Sequence, residues 1–523
     1  MNSQIAEQCH FRPPLPDILG CQNYREQREL LIRIDELMEQ AGSDRRFVQL
    51  SLEQYDLWLS DPDQFADSGW KPPFQPYTHS GGIKSGWLDH TRCALRVNII
   101  RYLTGDSLRQ MSINLADSAL IRWFCYVNEF GPVNPQSKST VDRYEDWIDA
   151  DAIRILSTEL TQQAAGITKD IQPNSNPLGL EQAIDLEQIW KDGTCLKANI
   201  HHPVDWVLLR DITRTLMKAT ILIRNRDLKN RMPQSPTDFL RDMNNLVIAM
   251  TQGRRKKGAK KERKRILRLM IKLQKRIARH ARLHRDILEA RWSESDLSQA
   301  RAQQIIARID DVLEQLPAAI HQARERIIGE RKLAAKDKTL SIYESDINII
   351  VRGKADAEVE FGNVLRLSEQ SNGIIVDWQL YREGLSDSEP VASAQGVDRL
   401  IEASAGKIKS LWTDRGMDSA ANVEKLNQCG ITNGICPKSP ELLREKMADT
   451  EYAAGQKRRA STEGRIGIFK NNIMGKIPRH KGFPSRRRAV GWGVLAHNLW
   501  VIARLPEFDE KAAPERQEMA RAA

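Results

Sequence analysis

The stretch KIKSLWTDRGMDSAANVEKLNQCGITNGICP, residues 407–437, carries the signals that predict the fold class. KIKSLW predicts a strand that runs directly into Asp414, after which Arg415 and Gly416 turn the chain away. SAANVEKLNQCG then predicts a helix that Gly430 stops, and ITNGICP predicts a second short strand. The acid at the end of the first strand is either a cap for the turn or a carboxylate presented to a metal ion.

Further strand signals lie far upstream of this stretch and just before it. IWKDGTCLKANI (189–200) predicts an extended segment, and three strand-like runs follow one another between residues 339 and 382. A long helical block fills about 204–335 between these two groups of strands. We therefore predict an α/β domain over 185–505 that a helical insertion at about 204–335 interrupts. An all-helical domain is predicted over 1–150 and a disordered tail over 506–523.

Charge and cysteine usage narrow the class of protein. The 523 residues carry a net charge of +10, which favours a polyanionic partner such as nucleic acid, although a membrane-surface protein would show the same excess. The seven cysteines include no Cys-x2-Cys pair, which is typical of a reducing compartment. The longest apolar region is too short to span a bilayer, so a soluble intracellular protein is expected.

The basic residues are concentrated in one short run. RRKKGAKKERKR, residues 254–265, holds nine basic residues and one acid. Such a run is either a solvated helix face or a surface that a polyanion neutralises, and its density favours contact with a DNA backbone. The predicted DNA contacts in this run are Arg254, Arg255, Lys256, Lys257, Lys260, Lys261, Arg263 and Lys264. PRHKGFPSRRR, residues 478–488, predicts a second basic loop of the same kind.

Three acids lie where a metal site would need them. Asp192 is in the first predicted strand, Asp414 ends a later strand, and Glu463 is on a predicted helix. Carboxylate oxygens are the ligands that Mg²⁺ and Mn²⁺ prefer. The simpler alternatives are a strand-end hydrogen bond, a turn cap and a solvated helix glutamate. The acids that compete with these three for the role of ligand are Asp205, Asp211, Asp377 and Glu344.

The segment around Glu463 resembles a known family. In QKRRASTEGRIGIFKNN (456–472), Arg459, Glu463 and Lys470 match the Tyr-x2-Arg-x3-Glu-x6-Lys signature of the DDE transposases of bacterial insertion sequences. Gln456 occupies the position of the signature tyrosine, which is a departure from the family pattern.

Three other segments are similar to the same family in the same order. KDGTCLKANIHHPVDWVLLRD (191–211) is similar to its first-aspartate segment, and WTDRGMDSAANVEKLNQCGI (412–431) to its second. RRRAVGWGVLAHNLWVIARL (486–505) is similar to its last helix, which commonly carries Ala-His-Asn-Leu. With residues 86–147, which resemble its N-terminal helical domain, the resemblance covers about residues 75–505.

The resemblance implies an RNase H-like mixed sheet with a large helical insertion, preceded by a helical N-terminal DNA-binding domain at 1–150. Asp192, Asp414 and Glu463 would be the catalytic residues and would bind two Mg²⁺ or Mn²⁺ ions, and Arg459 and Lys470 would contact DNA phosphates. It also implies double-stranded DNA as partner, both transposon terminal inverted repeats and target, a dimer or larger assembly, and a place in the bacterial cytoplasm at the nucleoid. A plain RNase H-like nuclease and a repurposed, non-catalytic DNA-binding protein remain the alternatives.

Overall fold

The computed structural model of the chain describes residues 12, 14–15, 18–127, 133–167, 176–252, 258–354, 357–384, 390–475 and 478–508. Four of the predicted DNA contacts, Arg254, Arg255, Lys256 and Lys257, lie outside the described residues, as does most of the predicted tail. Among the described residues, none of the helices combines the length and apolar character needed to cross a membrane.

Sixteen α-helices are present in the described part of the chain. Before the first strand they are α1 Gln22–Gln40, α2 Ser43–Ser60, α3 Ser85–Thr104, α4 Leu108–Asp117, α5 Ala119–Cys125, α6 Lys138–Glu145 and α7 Ala150–Ala164. The middle of the chain forms α8 Asp205–Arg224, α9 Pro236–Gln252, α10 Ala259–Arg291 and α11 Gln299–Ala323. The last third forms α12 Pro390–Ala403, α13 Ala420–Gln428, α14 Pro440–Lys446, α15 Thr450–Ile468 and α16 Phe483–Ile502.

Six strands form one mixed sheet. They are β1 Gln188–Lys197, β2 Asn348–Lys354, β3 Ala357–Glu369, β4 Ile375–Leu380, β5 Ser410–Thr413 and β6 Thr432–Ile435. The strand order is β2-β3-β1-β5-β6, and β4 also pairs with β3. β5 is parallel to both β1 and β6, whereas β3 is antiparallel to β2 and β4. The prediction of an α/β fold with a mixed sheet is confirmed, and the stretch at 407–437 forms the predicted strand, helix and strand.

The described residues divide into two compact units. The first comprises the described residues within 1–197 and 363–523, and the second comprises 198–362. The N-terminal helices, which the sequence predicts as a separate domain, lie in the first unit together with β1, β4, β5 and β6. In the core of this unit α16 packs against α7 and α3, and nearly every residue along the middle of α16 is buried.

The second unit is built around helices α8 to α11. α8 packs against α9, α10 and α11, and their apolar faces meet in a core that includes Leu209, Leu216 and Ile277. The chain leaves α11 through a π-helical turn at Arg324–Ile328. The lysines and arginines of α10 are left on its other face, as the amphipathic pattern of this segment requires.

Within the predicted all-helical region, residues 22–60 form two helices, α1 and α2, because the chain breaks at Gly42, whose φ of +61° favours glycine. One local prediction is wrong. The predicted basic loop 478–488 is a loop only at its start, because α16 begins at Phe483 with a proline in its first turn. Arg486, Arg487 and Arg488 are therefore helical residues of the first unit.

Candidate functional site

The two aspartates occupy corresponding positions on neighbouring parallel strands. Trp190 in β1 and Trp412 in β5 are register partners, and each precedes an aspartate by two residues. Because side chains alternate along a strand, Asp192 shares a sheet face with Trp190, and Asp414 shares it with Trp412. Asp192 lies within β1, whereas Asp414 is the first residue after β5.

Helix α15 lies across this face of the sheet. The indole Nε1 of Trp190 donates a hydrogen bond of 2.9 Å to the backbone oxygen of Gly455. A Cβ at Gly455 would overlap the indole ring of Trp412, so only glycine allows this helix to approach so closely. Tyr452 packs against both tryptophans, and its hydroxyl donates to the backbone oxygen of Ile435 at 3.0 Å. The small aromatic cluster thus holds α15 against β1, β5 and β6.

Glu463 follows Gly455 by eight residues, just over two helical turns, or about 12 Å along α15. Its side chain is exposed, and it makes no hydrogen bond or ion pair with any described residue. The negative charge of Glu463 nevertheless acts on Asp192, whose pKa it helps to raise. The helix therefore brings the third predicted acid within electrostatic reach of the first.

Asp192 is in an environment that disfavours its charge. Its side chain is 8% exposed, and its pKa is raised to about 6, first by burial and then by the negative charge of Asp414, with a further contribution from Glu463. The backbone N–H of Gly193, 2.6 Å from Oδ1, and the cation of Arg459 act in the opposite direction. The three predicted acids thus share one electrostatic environment with an excess of negative charge.

Asp414 caps the turn that follows β5. Its Oδ1 accepts a hydrogen bond of 3.0 Å from the backbone N–H of Gly416, at the start of a short 3-10 turn. Oδ1 of Asp414 therefore caps the turn, as one of the two interpretations of this residue predicts. A carboxylate offers about four lone-pair positions, so a cap does not exclude a second role as a metal ligand.

The two predicted phosphate contacts lie beside the acids. Lys470 is in a π-helical turn, Phe469–Ile473, that continues α15, and its Nζ donates to Thr194 Oγ1 at 3.0 Å. Arg459 lowers the pKa of Asp192 and donates from Nε to Gln456 Oε1 at 3.2 Å. Both cations are half-buried at the edge of the acidic site.

Gln456, the departure from the family signature, has a structural contact here. Its Nε2 donates a hydrogen bond of 2.6 Å to the backbone oxygen of Gly434 in β6. Tyr452, one turn earlier on α15, fastens the same helix to the neighbouring Ile435. Gln456 and Tyr452 therefore both hold α15 against β6 by hydrogen bonds to its backbone.

The competing acids are held by cations or amides elsewhere. Asp377 accepts from Arg154 at 2.8 Å and from Arg399 at 3.4 Å. In the second unit, Asp205 accepts from Gln322 and Arg326 at 2.8 and 2.7 Å. Likewise Asp211 lies 2.8 Å from His201 Nε2, and Glu344 is buried and has interaction partners of its own. The charges that act on the pKa of Asp192 include those of Asp414, Glu463 and Arg459.

Glu369 at the end of β3 is a residue that sequence reasoning missed. It is 3% exposed, and it accepts hydrogen bonds from Thr462 Oγ1 at 2.8 Å and from Arg458 Nη2 at 3.1 Å. Since Thr462 and Arg458 adjoin Glu463 and Arg459 on α15, Glu369 fixes the part of the helix that carries the site. The only hint in the sequence is that an acid follows Leu365 and Leu367 at the same two-residue spacing.

The chemistry of the acids fits a divalent cation, but the described residues do not form a ready coordination shell. No group of three or more His, Cys, Asp or Glu side chains within the described ranges is arranged to hold a metal ion. The observation that favours a cation is the raised pKa of Asp192, which comes first from burial and then from the negative charges of Asp414 and Glu463, because a nearby positive charge would favour the ionised carboxylate.

Three of the four described basic residues that the sequence predicts as DNA contacts in the second unit already have contacts within the chain. Lys260 and Lys264 both pair with Glu330, at 3.1 and 2.9 Å. The guanidinium of Arg263 lies 5.1 Å above the ring of Trp206, and Lys261 is exposed. DNA contact by these four residues stays a prediction.

The arginines at the start of α16 are used within the first unit. Arg486 is completely buried, and its Nε donates to Asn363 Oδ1 at 3.0 Å. Arg487 and Arg488 pair with Asp151 and Asp146, at 2.5 and 2.6 Å. The prediction that residues 478–488 form a DNA-binding loop is therefore wrong for Arg486, which no phosphate can reach.

The chain was compared with protein-family models, curated proteins and solved structures. No family model, no curated protein and no solved structure matches this chain. Its function is therefore argued from the acids, the cations around them and the sequence motifs that carry them.

Proposed function

We propose that the chain is a DNA transposase with an RNase H-like catalytic domain, and that it hydrolyses a phosphodiester at transposon ends and joins the freed end to target DNA. The observation that supports this most directly is the shared environment of Asp192, Asp414 and Glu463. Asp192 lies in β1, Asp414 directly follows the neighbouring parallel strand β5, and Glu463 is on the helix that packs against both strands; the charges of Asp414 and Glu463 both raise the pKa of Asp192. They are also the three acids that the transposase resemblance selects.

Each residue of the site has a distinct role in the proposed reaction. Asp192, Asp414 and Glu463 would hold two Mg²⁺ or Mn²⁺ ions, which supply Lewis-acid stabilisation of the phosphodiester oxygens. Arg459 and Lys470 would bind and orient the phosphates beside the acids. The aromatic contacts of α15 would keep Glu463 in position, because phosphoryl transfer depends mainly on positioning and charge stabilisation.

The reaction defines the partners. The substrates would be double-stranded DNA, first the terminal inverted repeats of the element and then the target. Joining two ends needs at least two sites, so we propose a dimer or larger assembly on DNA, in the cytoplasm of a bacterium. The net charge of +10 is in accord with such a polyanionic substrate.

Two other functions remain open. An RNase H-like nuclease would use the same acids for hydrolysis without strand joining. A repurposed DNA-binding protein would bind element ends without cleaving them, and Gln456 in place of the signature tyrosine favours this alternative. The engagement of Gln456 with Gly434 weakens that argument, because the amide has a structural role at this position.

The test is a cleavage and strand-joining assay on DNA that carries the element's ends, with Mg²⁺, Mn²⁺ or EDTA. Asp414→Asn is the decisive variant, because an asparagine oxygen can still accept from Gly416 while the negative charge is lost. Glu463→Gln removes the third acid, and Glu451→Gln, an exposed change at the start of the same helix, is its matched control.

The transposase predicts metal-dependent release of a 3′-hydroxyl and its joining to target DNA. Both steps should be lost in Asp414→Asn and Glu463→Gln, and both should persist in Glu451→Gln. Cleavage without joining would identify the nuclease. Tight binding to the ends with no cleavage under any metal would identify the repurposed binding protein.

A further inference from the structure

The second unit contains a basic groove between α10 and the π-helical turn that follows α11. The groove has a volume of about 580 Å³. Its polar walls are Arg268, Lys272 and Lys275 from α10, and Arg324, Glu325 and Arg331 from the opposite side. Five cations and one acid thus face a common concavity.

The single acid of the groove is already neutralised. Glu325 pairs with Arg331 at 3.2 Å. The nearby Glu330 is taken by Lys260 and Lys264. Arg268, Lys272, Lys275 and Arg324 form no side-chain hydrogen bond or ion pair with any residue in the described ranges, and all four are exposed. The groove therefore has about four positive charges that nothing described in the chain offsets.

The wall opposite α10 depends on an unusual backbone. The N–H of Gly329 reaches back five residues to the carbonyl of Arg324, at 2.9 Å, and so closes the π-helical turn. A Cβ on Gly329 would lie 2.9 Å from the carbonyl oxygen of Glu325, closer than such atoms normally approach. Single π-helical turns are frequent at functional sites. Here the turn carries Arg324 at its start and lines the groove.

The groove is part of a longer stripe on α10. Lys261, Arg268, Lys272, Lys275, Arg279 and Arg282 recur at helical spacing, and each is exposed. None of the six pairs with an acid among the described residues. The stripe spans about 32 Å, the length of roughly ten base pairs of duplex, whose strands carry a phosphate about every 3.4 Å of the helix axis. It ends before Arg285, which Asp310 neutralises at 3.0 Å.

From this geometry we infer that the groove and stripe bind the phosphate backbone of double-stranded DNA, in a second site that is separate from the three acids. The choice of DNA rather than another polyanion rests on the proposed function. The side chains that carry the interaction are Arg268, Lys272, Lys275 and Arg324. These four differ from the basic residues that the sequence pattern selects, among which Lys261 belongs to the stripe and Lys260 and Lys264 are held in ion pairs with Glu330.

The test uses the full chain and a labelled duplex of arbitrary sequence, with EDTA to prevent cleavage. Fluorescence anisotropy gives the dissociation constant over a series of salt concentrations. The groove variant combines Arg268→Ala, Lys272→Ala, Lys275→Ala and Arg324→Ala. The control combines Arg214→Ala, Lys218→Ala, Arg308→Ala and Lys336→Ala, which removes the same charge from exposed positions of the same unit outside the groove. Equal thermal melting of the two variants shows that both are folded.

The groove variant should bind at least about tenfold more weakly, and its salt slope should fall by about 4, because each of the four cations would neutralise one phosphate. The control should bind within about twofold of the unchanged protein, because its cations touch no phosphate. Equal weakening in the two variants, or none in either, would overturn the inference. The inference would also be overturned if the four substitutions weakened the binding of duplex RNA more than the binding of duplex DNA.

The failure of this inference and that of the proposed function are distinguishable. Asp414→Asn should leave binding to the arbitrary duplex intact. If the groove variant binds DNA normally while the acids are needed for cleavage, the groove inference fails and the transposase stands. If the groove binds DNA but no metal supports cleavage, the transposase fails and the groove site stands as a DNA-binding surface.

Discussion

Trp190 and Trp412 are register partners on the parallel strands β1 and β5, and each places an aspartate two residues further along the same sheet face. The same two indoles determine where the third acid comes to lie. One donates a hydrogen bond to Gly455, and the other occupies the space that a side chain at Gly455 would need. A pair of buried aromatic residues thus sets the positions of Asp192, Asp414 and Glu463 together.

The first prediction concerns Asp192 and pH. Its pKa rises from 3.8 to about 6 on folding, so the ionised form destabilises the folded chain. That cost is absent below about pH 4, grows as pH rises through about 6, and is constant above it. Asp192→Asn should therefore be more stable than the unchanged protein at pH 8 by about 3 kcal/mol, and equal to it near pH 4. Urea unfolding at the two pH values measures this, and equal stability at pH 8 would contradict it.

The second prediction concerns Arg459, whose charge lowers the pKa of Asp192. Removing the cation in Arg459→Gln should move that pKa further above 6. The difference in free energy of unfolding between the Asp192→Asn variant and its parent grows with pH. In the Arg459→Gln background, the midpoint of this pH dependence should shift to higher pH. Lys457→Gln, an exposed change on the same helix, is the control and should leave the midpoint where it is. An unmoved midpoint in Arg459→Gln would mean that the guanidinium does not act on this carboxylate.

The third prediction concerns divalent ions. Mg²⁺ or Mn²⁺ bound by the three acids should raise the melting temperature, by an amount equivalent to about 2.7 kcal/mol when the ion is at a hundred times its dissociation constant. EDTA should reverse the effect. The double variant Asp192→Asn with Asp414→Asn should not respond, whereas the exposed change Glu424→Gln should respond normally. A rise of equal size in the double variant would place the ion elsewhere.

The fourth prediction compares two glycines of α15. Gly455→Ala would drive a methyl group into the ring of Trp412, and such overpacking costs about 1–3 kcal/mol. Gly464→Ala meets open space and should instead stabilise the helix by about 0.5–1 kcal/mol. The free energy of unfolding of each variant checks this. The interpretation of Gly455 as a close-approach residue is wrong if the two alanines have the same effect.

The fifth prediction concerns Glu369 as a positioning residue. Glu369→Gln removes the charge that Arg458 and Thr462 contact, and should destabilise the chain by about 2 kcal/mol. Cleavage should fall through a lower kcat, with DNA affinity little changed, because Glu463 loses its fixed position. Glu445→Gln, an exposed change on α14, is the control. Unchanged kcat in a destabilised Glu369→Gln would show that the residue serves stability alone.

Local sequence patterns predict the strands and the helix around Asp414. β5, β6 and the helix between them follow from alternating apolar residues and from Gly430, and Asp414 at the strand end is visible in the same stretch. Trp412, in the same apolar run as β5, is 2% exposed. Whether the acids coordinate metal and whether the chain cleaves DNA stay predictions.

The features that sequence reasoning missed depend on distant partners. Glu369 is anchored by residues about ninety positions further along the chain. Arg486 is buried and donates a hydrogen bond to Asn363, more than a hundred positions earlier. A run of three arginines is typical of a solvated loop, and only the tertiary structure reveals the acids at 146 and 151 that neutralise two of them.

The long separation of β1 from β5 has a consequence for synthesis of the chain. About 220 residues lie between Asp192 and Asp414, so a ribosome takes roughly 10–40 s to make the second strand after the first. During that time β1, most of whose residues are buried in the folded chain, has no parallel partner. Glu463 emerges later still. A nascent or prematurely terminated chain therefore has no assembled acidic site, and any activity can begin only after Glu463 has left the ribosome.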